Sequence, residues 1–200
     1  ATMHQDIRCI GDFSSLGFYG NRNGAWVDET IDLPPSTARG ARRLKAEQDW
    51  IKLASETGIP LSIYRLAGIY GPGRSVIDSL QAGTARRIVK PGQVFNRIHI
   101  DDIVRVVMVD LARQAQQIEI FNVCDDEPAA PADVVAFGAN LMGVEPPPEI
   151  PIEDAELSPM GLSFYSESKR VSNRRIKEDL GVSLAYPDYR TGLRAIFEQT

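Results

Sequence analysis

The 200-residue sequence is poor in the residues that build metal centres and disulfide frameworks. It has two cysteines, Cys9 and Cys124, and two histidines, without any Cys-x-x-Cys or Cys/His ligand spacing. The pattern therefore indicates neither a zinc site nor a disulfide framework, and no metal site of any kind is predicted. We expect both thiols to be reduced and buried.

Long apolar runs and an excess of positive charge are also missing. The most apolar run, residues 103–112, is interrupted by Arg105 and Asp110, and the first residues show no basic stretch followed by an apolar one,. The net charge is -5, which gives no general attraction for nucleic acid or for an anionic membrane,. We therefore expect a cytoplasmic protein with no nucleic-acid or membrane partner.

What is present is the composition of an ordinary globular protein, 43% hydrophobic and 24% charged,. Strand patterns alternate with helix patterns, which predicts parallel βαβ construction. Strands are expected at 8–13, 61–66 and 118–123. Helices are expected from Ser36 or Thr37 to Gly58, and at 101–113, 131–142, 171–180 and 187–197, with Asp101 as an N-cap and a less regular stretch over 75–97.

These elements predict an α/β fold, a partial Rossmann-like, doubly wound parallel sheet with a small C-terminal substrate lobe. The proline cluster at 146–148 suggests a boundary, so residues 1–143 are assigned to the Rossmann-like part and 144–200 to the lobe. Residues 74–98 are expected to contribute to the lobe. Ligands of such sheets bind at the carboxyl ends of the strands. Three segments should meet there: Ser14-Ser15, Ala67 to Arg74, and Asp125-Asp126.

Four motifs carry a family resemblance, in the same order as in the family. They are Ser14-Ser15 followed by Tyr19-Gly20, the loop Arg65 to Gly73 with Tyr70-Gly71-Pro72-Gly73, His99-Ile100-Asp101-Asp102, and Phe121-Asn122-Val123 before Asp125. The chain resembles the extended short-chain dehydrogenases/reductases of the NAD-dependent epimerase/dehydratase family, in an atypical form. The resemblance covers most of residues 8–143.

In this family a Ser or Thr, a Tyr and a Lys form the catalytic set. The resemblance assigns Ser15 to the role of the Ser or Thr. The helix segment Arg39-Gly40-Ala41-Arg42-Arg43, with Glu47 after it, aligns with Tyr-Gly-x-Ser-Lys and its Glu, so Arg39 and Arg43 stand where Tyr and Lys are usual. Arginine stays protonated at neutral pH and cannot relay a proton. Two guanidinium groups at i, i+4 either bind an anion or are solvated.

The resemblance implies NAD or NADP as cofactor and supplies further site residues. Tyr70 is the better substitute for the missing phenol, ahead of Tyr19. The cofactor is expected to contact Ser14, Arg39, Arg43, Ala67, Gly68, Ile69 and Tyr70, and the substrate Gly71, Arg74 and Arg97. His99 is expected to be a packed or capping side chain.

The family's glycine-rich pyrophosphate turn is not found, because Gly17, Gly20 and Gly24 have the wrong spacing and open no helix,. The chain therefore resembles the C-terminal portion of the family, with a missing N-terminal segment or a homodimer partner as the expected completion. Two hypotheses follow. One is an NAD(P)-dependent epimerase, dehydratase or reductase acting on a carbohydrate-like substrate, and the other is a redox-inactive nucleotide or metabolite sensor or scaffold.

Overall fold

A three-stranded parallel sheet forms the centre of the chain. The computed structural model describes residues 7–31, 37–115 and 117–199. The sheet runs in the order β1 (Ile10–Ser15), β3 (Leu61–Leu66), β7 (Ile118–Val123), and Ser15 pairs with Leu66, which pairs with Val123. The three carboxyl ends lie side by side, so the predicted meeting of the strand ends is confirmed. The sequence placed β3 and β7 correctly and β1 two residues too early.

The helix α1 (Ala38–Thr57) connects β1 to β3 and is bounded by the two signals that the sequence contains. The Thr37 hydroxyl accepts a hydrogen bond from the Gly40 N–H at 3.1 Å, and Gly58 ends the helix at φ 69°, where glycine is least strained,. Its Ala54 packs with Leu61 and Ile63. Thr37 is confirmed as the N-cap, and the alternative, Ser36, lies outside the described residues.

The helix α3 (Ile100–Arg113) begins one residue earlier than expected and has a different cap. The His99 Nδ1 accepts the Asp101 N–H at 3.2 Å, so the prediction of Asp101 as N-cap is wrong and the capping role foreseen for His99 is confirmed. Asp102 is fully buried because its carboxylate accepts the backbone N–H groups of Ala185 and Tyr186, at 2.8 and 2.9 Å. That pair of bonds fastens the C-terminal region to α3.

Shorter elements surround this frame. The stretch 75–97, expected to be irregular, contains a helix, one strand and the first residue of a second strand. The helix forms because Ser75 and Asp78 make a capping box at its start,. The described elements are a 3-10 helix (Leu16–Tyr19), β2 (Trp26–Val27), β4 (Gly68–Tyr70), α2 (Val76–Gln81), β5 (Arg87–Val89), β6 (Arg97–His99), α4 (Pro131–Leu141), β8 (Glu149–Pro151), a 3-10 helix (Ile152–Asp154), α5 (Pro159–Tyr165), β9 (Arg170–Val171), α6 (Arg174–Glu178) and α7 (Tyr189–Glu198).

Residues after 143 pack closely against those before it. Strand β9 pairs with β2, and β8 pairs with β5, which lies within residues 74–98. Ile176 and Leu180 join the hydrophobic cluster of Tyr64 and Phe121 on the sheet. The division at residue 143 stays a prediction, and side-chain packing crosses it.

The two cysteines differ in exposure. Cys124 is buried as predicted, whereas Cys9 is exposed because it precedes the first residue of β1, so its predicted burial is wrong. Among the described residues, no cluster of three His, Cys, Asp or Glu side chains is placed to bind a metal ion. None of the described helices has the length and apolar character needed to cross a bilayer.

Candidate functional site

A cavity of about 620 Å³ opens at the carboxyl ends of β1 and β3, in the size range of small-molecule sites. It lies where the strand-end argument placed a ligand. Nine residues predicted for the site line it: Ser15, Arg39, Arg43, Ala67, Gly68, Ile69, Tyr70, Arg74 and Arg97. Ser14 and Gly71, also predicted, are not among the lining residues.

Ser15 is the last residue of β1 and the N-cap of the first 3-10 helix. Its Oγ accepts the Gly17 N–H at 3.2 Å, which fixes the side chain at the cavity wall. A hydroxyl both accepts and donates, so the Ser15 proton remains available to an oxygen of a bound molecule. This arrangement suits the role that the family resemblance implies.

Arg39 and Arg43 lie one turn apart at the start of α1, and both line the cavity. The Arg39 guanidinium stacks 4.5 Å from the centre of the Phe164 ring, which orients it without neutralising its charge,. Arg43 Nη1 lies 3.5 Å from the Phe13 carbonyl oxygen. Both side chains are exposed at the cavity mouth, where a phosphate or carboxylate meets two guanidinium forks,.

A buried ion pair behind this wall holds α1 to the sheet. The Arg65 Nη2 donates to the Glu47 Oε2 at 2.7 Å, and Arg65 Nε lies 3.2 Å from both carboxylate oxygens. The Ser14 hydroxyl also donates to Glu47, and Arg65 Nη1 donates to the Tyr19 hydroxyl at 3.0 Å. Ser14 therefore supports the wall from inside, and its contact with a cofactor stays a prediction.

Neither tyrosine proposed as a proton donor presents its hydroxyl to the cavity. The Tyr70 ring lines the cavity, but its hydroxyl is buried without a hydrogen-bond partner among the described residues. That end of the ring packs on Gly192 of α7, where an added Cβ would lie 2.7 Å from Cε2 and Cζ of Tyr70. Burial raises the pKa of Tyr70 well above its ordinary value, with nearby Asp125 contributing. This placement argues against the predicted catalytic role of Tyr70.

The Tyr19 side chain is also buried. Its hydroxyl donates to the Asn122 Oδ1 at 2.8 Å, and burial raises its pKa to about 12. Gly71, predicted to touch substrate, packs on α3 instead, because a Cβ there would lie 2.7 Å from Ile100 Cγ2. Neither residue is among those that line the cavity.

Arg97 reaches the cavity from β6 and is tied by two backbone carbonyls. Its Nη1 donates to the Phe95 oxygen at 2.9 Å and to the Ala129 oxygen at 3.1 Å. Asp125, 1% exposed, lies behind it, and burial raises the pKa of this carboxyl to about 8 although Arg97 opposes the shift. One Asp125 oxygen has no hydrogen-bond partner among the described residues.

Sequence reasoning missed the far wall of the cavity. Gly161, Phe164 and Tyr165 belong to α5, a helix that was not predicted although Ser158-Pro159 is a common helix start,. Lys169 and Glu167 line the cavity just before β9. No local pattern marks a buried lysine, so this residue was not foreseen.

The residues present fit the nicotinamide-bearing half of a dinucleotide. Gly68 lets a ligand approach the backbone, because a Cβ there would already crowd the Asn96 carbonyl at 3.2 Å,. Ser15 offers a hydroxyl, and the two arginines offer charge for phosphate or carboxylate oxygens. The sequence contains no glycine-rich pyrophosphate turn, so the fit extends to that half only,.

Comparison with known proteins finds no family model that matches the chain. It is 50% identical to a solved protein of unknown function from Silicibacter pomeroyi, with a TM-score of 0.88, covering 96% of this chain and 66% of the other. It is 32% identical to Protein YeeZ of Escherichia coli over 88% of this chain and 57% of YeeZ. The chain thus spans somewhat more than half the length of this curated relative.

A third relative is described by its family. The chain is 27% identical to an NAD-dependent epimerase/dehydratase-type protein from Methylobacillus flagellatus, with a TM-score of 0.70, covering 96% of this chain and 64% of that one. More distant structures with the same fold, at 16 to 21% identity, include proteins crystallised with NADPH or NAD. The shared fold is an α/β, Rossmann-like one.

Proposed function

Because the chain belongs to the NAD-dependent epimerase/dehydratase family of short-chain dehydrogenases/reductases, we propose that it functions as an NAD(P)-dependent oxidoreductase or epimerase. The proposed substrate is carbohydrate-like and carries an anionic group. The observation that supports this most is the shared cavity of Ser15, Arg39 and Arg43 at the strand ends.

Each residue has a distinct part in this proposal. Bound NAD(P) supplies the hydride acceptor or donor. Ser15 donates a hydrogen bond to the reacting oxygen, and the backbone of Ala67 to Ile69 borders the cofactor. Arg39 and Arg43 bind the anionic group of substrate or cofactor, and Arg74 adds a third positive charge at the mouth,. The cavity is dominated by positive charge although the chain carries a net charge of -5.

A second candidate is a nucleotide or metabolite sensor without redox activity. It is favoured by one specific observation, that arginines replace the usual Tyr and Lys while Tyr19 and Tyr70 keep their hydroxyls inside. Binding of an anion needs only the arginines. Turnover needs Ser15 and a proton donor as well.

The binding half of the proposal predicts that Arg39→Ala and Arg43→Ala weaken the affinity for NADPH. A charge-assisted hydrogen bond contributes about 1.5–3 kcal/mol, so each variant should raise the Kd by about 10- to 100-fold. Thermal-shift titration with NADPH measures this. Arg42→Ala is the matched control, since Arg42 lies on the same helix, is exposed and does not line the cavity. Equal losses in all three variants would contradict a site at Arg39 and Arg43.

The catalytic half predicts that Ser15→Ala removes turnover and spares binding. We would follow NADPH oxidation with glucuronate, a sugar acid with a carboxylate and an open-chain aldehyde. Loss of one donor to the reacting oxygen typically lowers the rate by about 10²–10³-fold. We expect a loss of that size in Ser15→Ala, with an NADPH affinity close to that of the wild type. Binding of NADPH without oxidation in the wild-type protein would instead favour the sensor.

A further inference from the structure

Lys169 is the one lysine among the residues lining the cavity. It precedes β9, is 8% exposed, and faces the same space as Ser15 and Arg39. Its Nζ donates to the Gly20 carbonyl at 2.9 Å and to the Glu167 Oε2 at 2.7 Å. A lysine ammonium has three N–H donors, and these bonds use two of them. One donor therefore remains for a bound molecule.

The first 3-10 helix fixes the relation between Lys169 and Ser15. Ser15 caps the amino end of this four-residue helix, and Gly20, which holds Lys169, follows its last residue. Both side chains line one cavity, so a single small molecule is able to contact both.

Lysine differs from the neighbouring arginines in the property that matters for acid–base chemistry. Arginine holds its proton at any physiological pH, whereas a buried lysine releases one readily. The charged groups facing Lys169 are Glu167, which stabilises the ammonium, and Arg22 and Arg39, which oppose it. Desolvation outweighs Glu167, so the pKa of Lys169 is lowered.

We propose that Lys169 is the proton-donating residue of this cavity, in place of the tyrosine that relatives use. This rests on the proposed oxidoreductase function. A carbonyl carbon of the substrate gains a hydride from a dihydronicotinamide, one Nζ–H bond of Lys169 breaks, and an O–H bond forms on the substrate oxygen. The neutral amine then regains a proton from water. Ser15 holds the same oxygen, and the arginines bind the anionic group.

The test measures the titration of Lys169 directly. Pulse acetylation with acetic anhydride across pH 6–11, read by mass spectrometry of the peptides, gives the pH of half-maximal reactivity of each lysine. Lys90 is the matched control, because its Nζ also donates to a backbone carbonyl, that of Tyr165, but it does not line the cavity. We expect the Lys169 midpoint to lie below that of Lys90, and we expect at least fivefold protection of Lys169 by glucuronate with NADPH.

The possible outcomes separate this inference from the proposed function. A Lys169 midpoint equal to that of Lys90, or a Lys169 that stays unacetylated while Lys90 reacts, would overturn the inference, since the amine would then be an ordinary or enclosed one. Failure of the wild type to oxidise NADPH with glucuronate would count against the proposed function and leave the acetylation result as it is.

Two variants separate proton transfer from a purely structural role. Lys169→Arg keeps the charge and the bonds to Gly20 and Glu167 but cannot lose a proton, while Lys169→Met removes both. We expect kcat to fall at least 100-fold in both variants. The Tm of Lys169→Arg should stay close to that of the wild type. The wild-type rate should fall at high pH with the midpoint found by acetylation. An active Lys169→Arg variant with the same pH profile would contradict proton donation.

Discussion

Replacing Glu47 with Gln is expected to lower the free energy of unfolding by about 3–5 kcal/mol, the usual result of removing one partner of a buried ion pair. Glu47 and Arg65 are 1% and 3% exposed. Glutamine has nearly the same shape, so little of the loss would come from a cavity. It offers one acceptor oxygen where the carboxylate accepts from Arg65 and Ser14, and it leaves the guanidinium charge buried.

The size of this effect follows from what the pair connects. Glu47 lies on α1, Arg65 on β3 and Ser14 on β1, and Arg65 also stacks 3.4 Å from the centre of the Phe18 ring in the first 3-10 helix. The elements that carry Ser15, Arg39 and Arg43 therefore share one buried charge network. A loss of a few kcal/mol is a large part of a domain stability of about 5–15 kcal/mol.

Urea denaturation of Glu47→Gln beside Glu56→Gln tests this prediction. Glu56 lies on the same helix, and its ion pair with Lys52 is exposed, so its replacement should cost under about 1 kcal/mol,. A double variant, Glu47→Leu with Arg65→Met, should lose less than Glu47→Gln alone, since no buried charge is left without a partner. Equal, small losses at Glu47 and Glu56 would show that the pair is not a buried anchor.

The parts of the fold that the sequence predicted correctly are those with strong local signals. Thr37 and Gly58 bound α1 because a side-chain cap and a left-handed residue are determined by neighbouring residues,. Strands β3 and β7 are short segments rich in aliphatic and aromatic residues, with turn residues around them. Their parallel pairing then places the strand ends together, so the position of the cavity followed from the chain order.

The parts that were missed depend on contacts between distant residues. Whether the Tyr70 hydroxyl faces the cavity is decided by Gly192, 122 residues further along the chain. Lys169 reaches the cavity because Gly20 and Glu167 hold its ammonium, and no periodicity encodes that contact. Family motifs suggested which residue types to look for. They did not indicate the direction in which a side chain points.

Asp125→Asn is expected to change how stability depends on pH. The carboxyl has a pKa of about 8 in the folded chain and about 4 when unfolded, so the folded state holds the proton more tightly,. Such a group favours folding fully below pH 4, and its contribution is lost as pH rises to about 8. In the wild type the free energy of unfolding should therefore fall across pH 4–8 by up to about 1.4 kcal/mol per unit from this residue.

Asparagine keeps the shape of Asp125 and its acceptor for the Glu127 N–H, at 3.3 Å, but carries no charge at any pH. We therefore expect the variant to be about 2–4 kcal/mol more stable relative to wild type at pH 8.5 than at pH 4.5, after allowing for water entry and for Arg97 nearby. Urea denaturation at the two pH values measures the difference.

Asp126→Asn is the control for this experiment, because Asp126 is the neighbouring residue and its ion pair with Lys177 is partly exposed. The stability of Asp126→Asn relative to wild type should differ by less than about 1 kcal/mol between the two pH values. If Asp125→Asn is no more stable at pH 8.5, the Asp125 carboxylate must be ionised and compensated by Arg97 in the folded chain. That outcome would place an intact charge pair directly behind the cavity wall. Arg97 would then offer a neutralised charge to an anionic ligand, so the recognition of the anion would rest on Arg39 and Arg43 at the mouth.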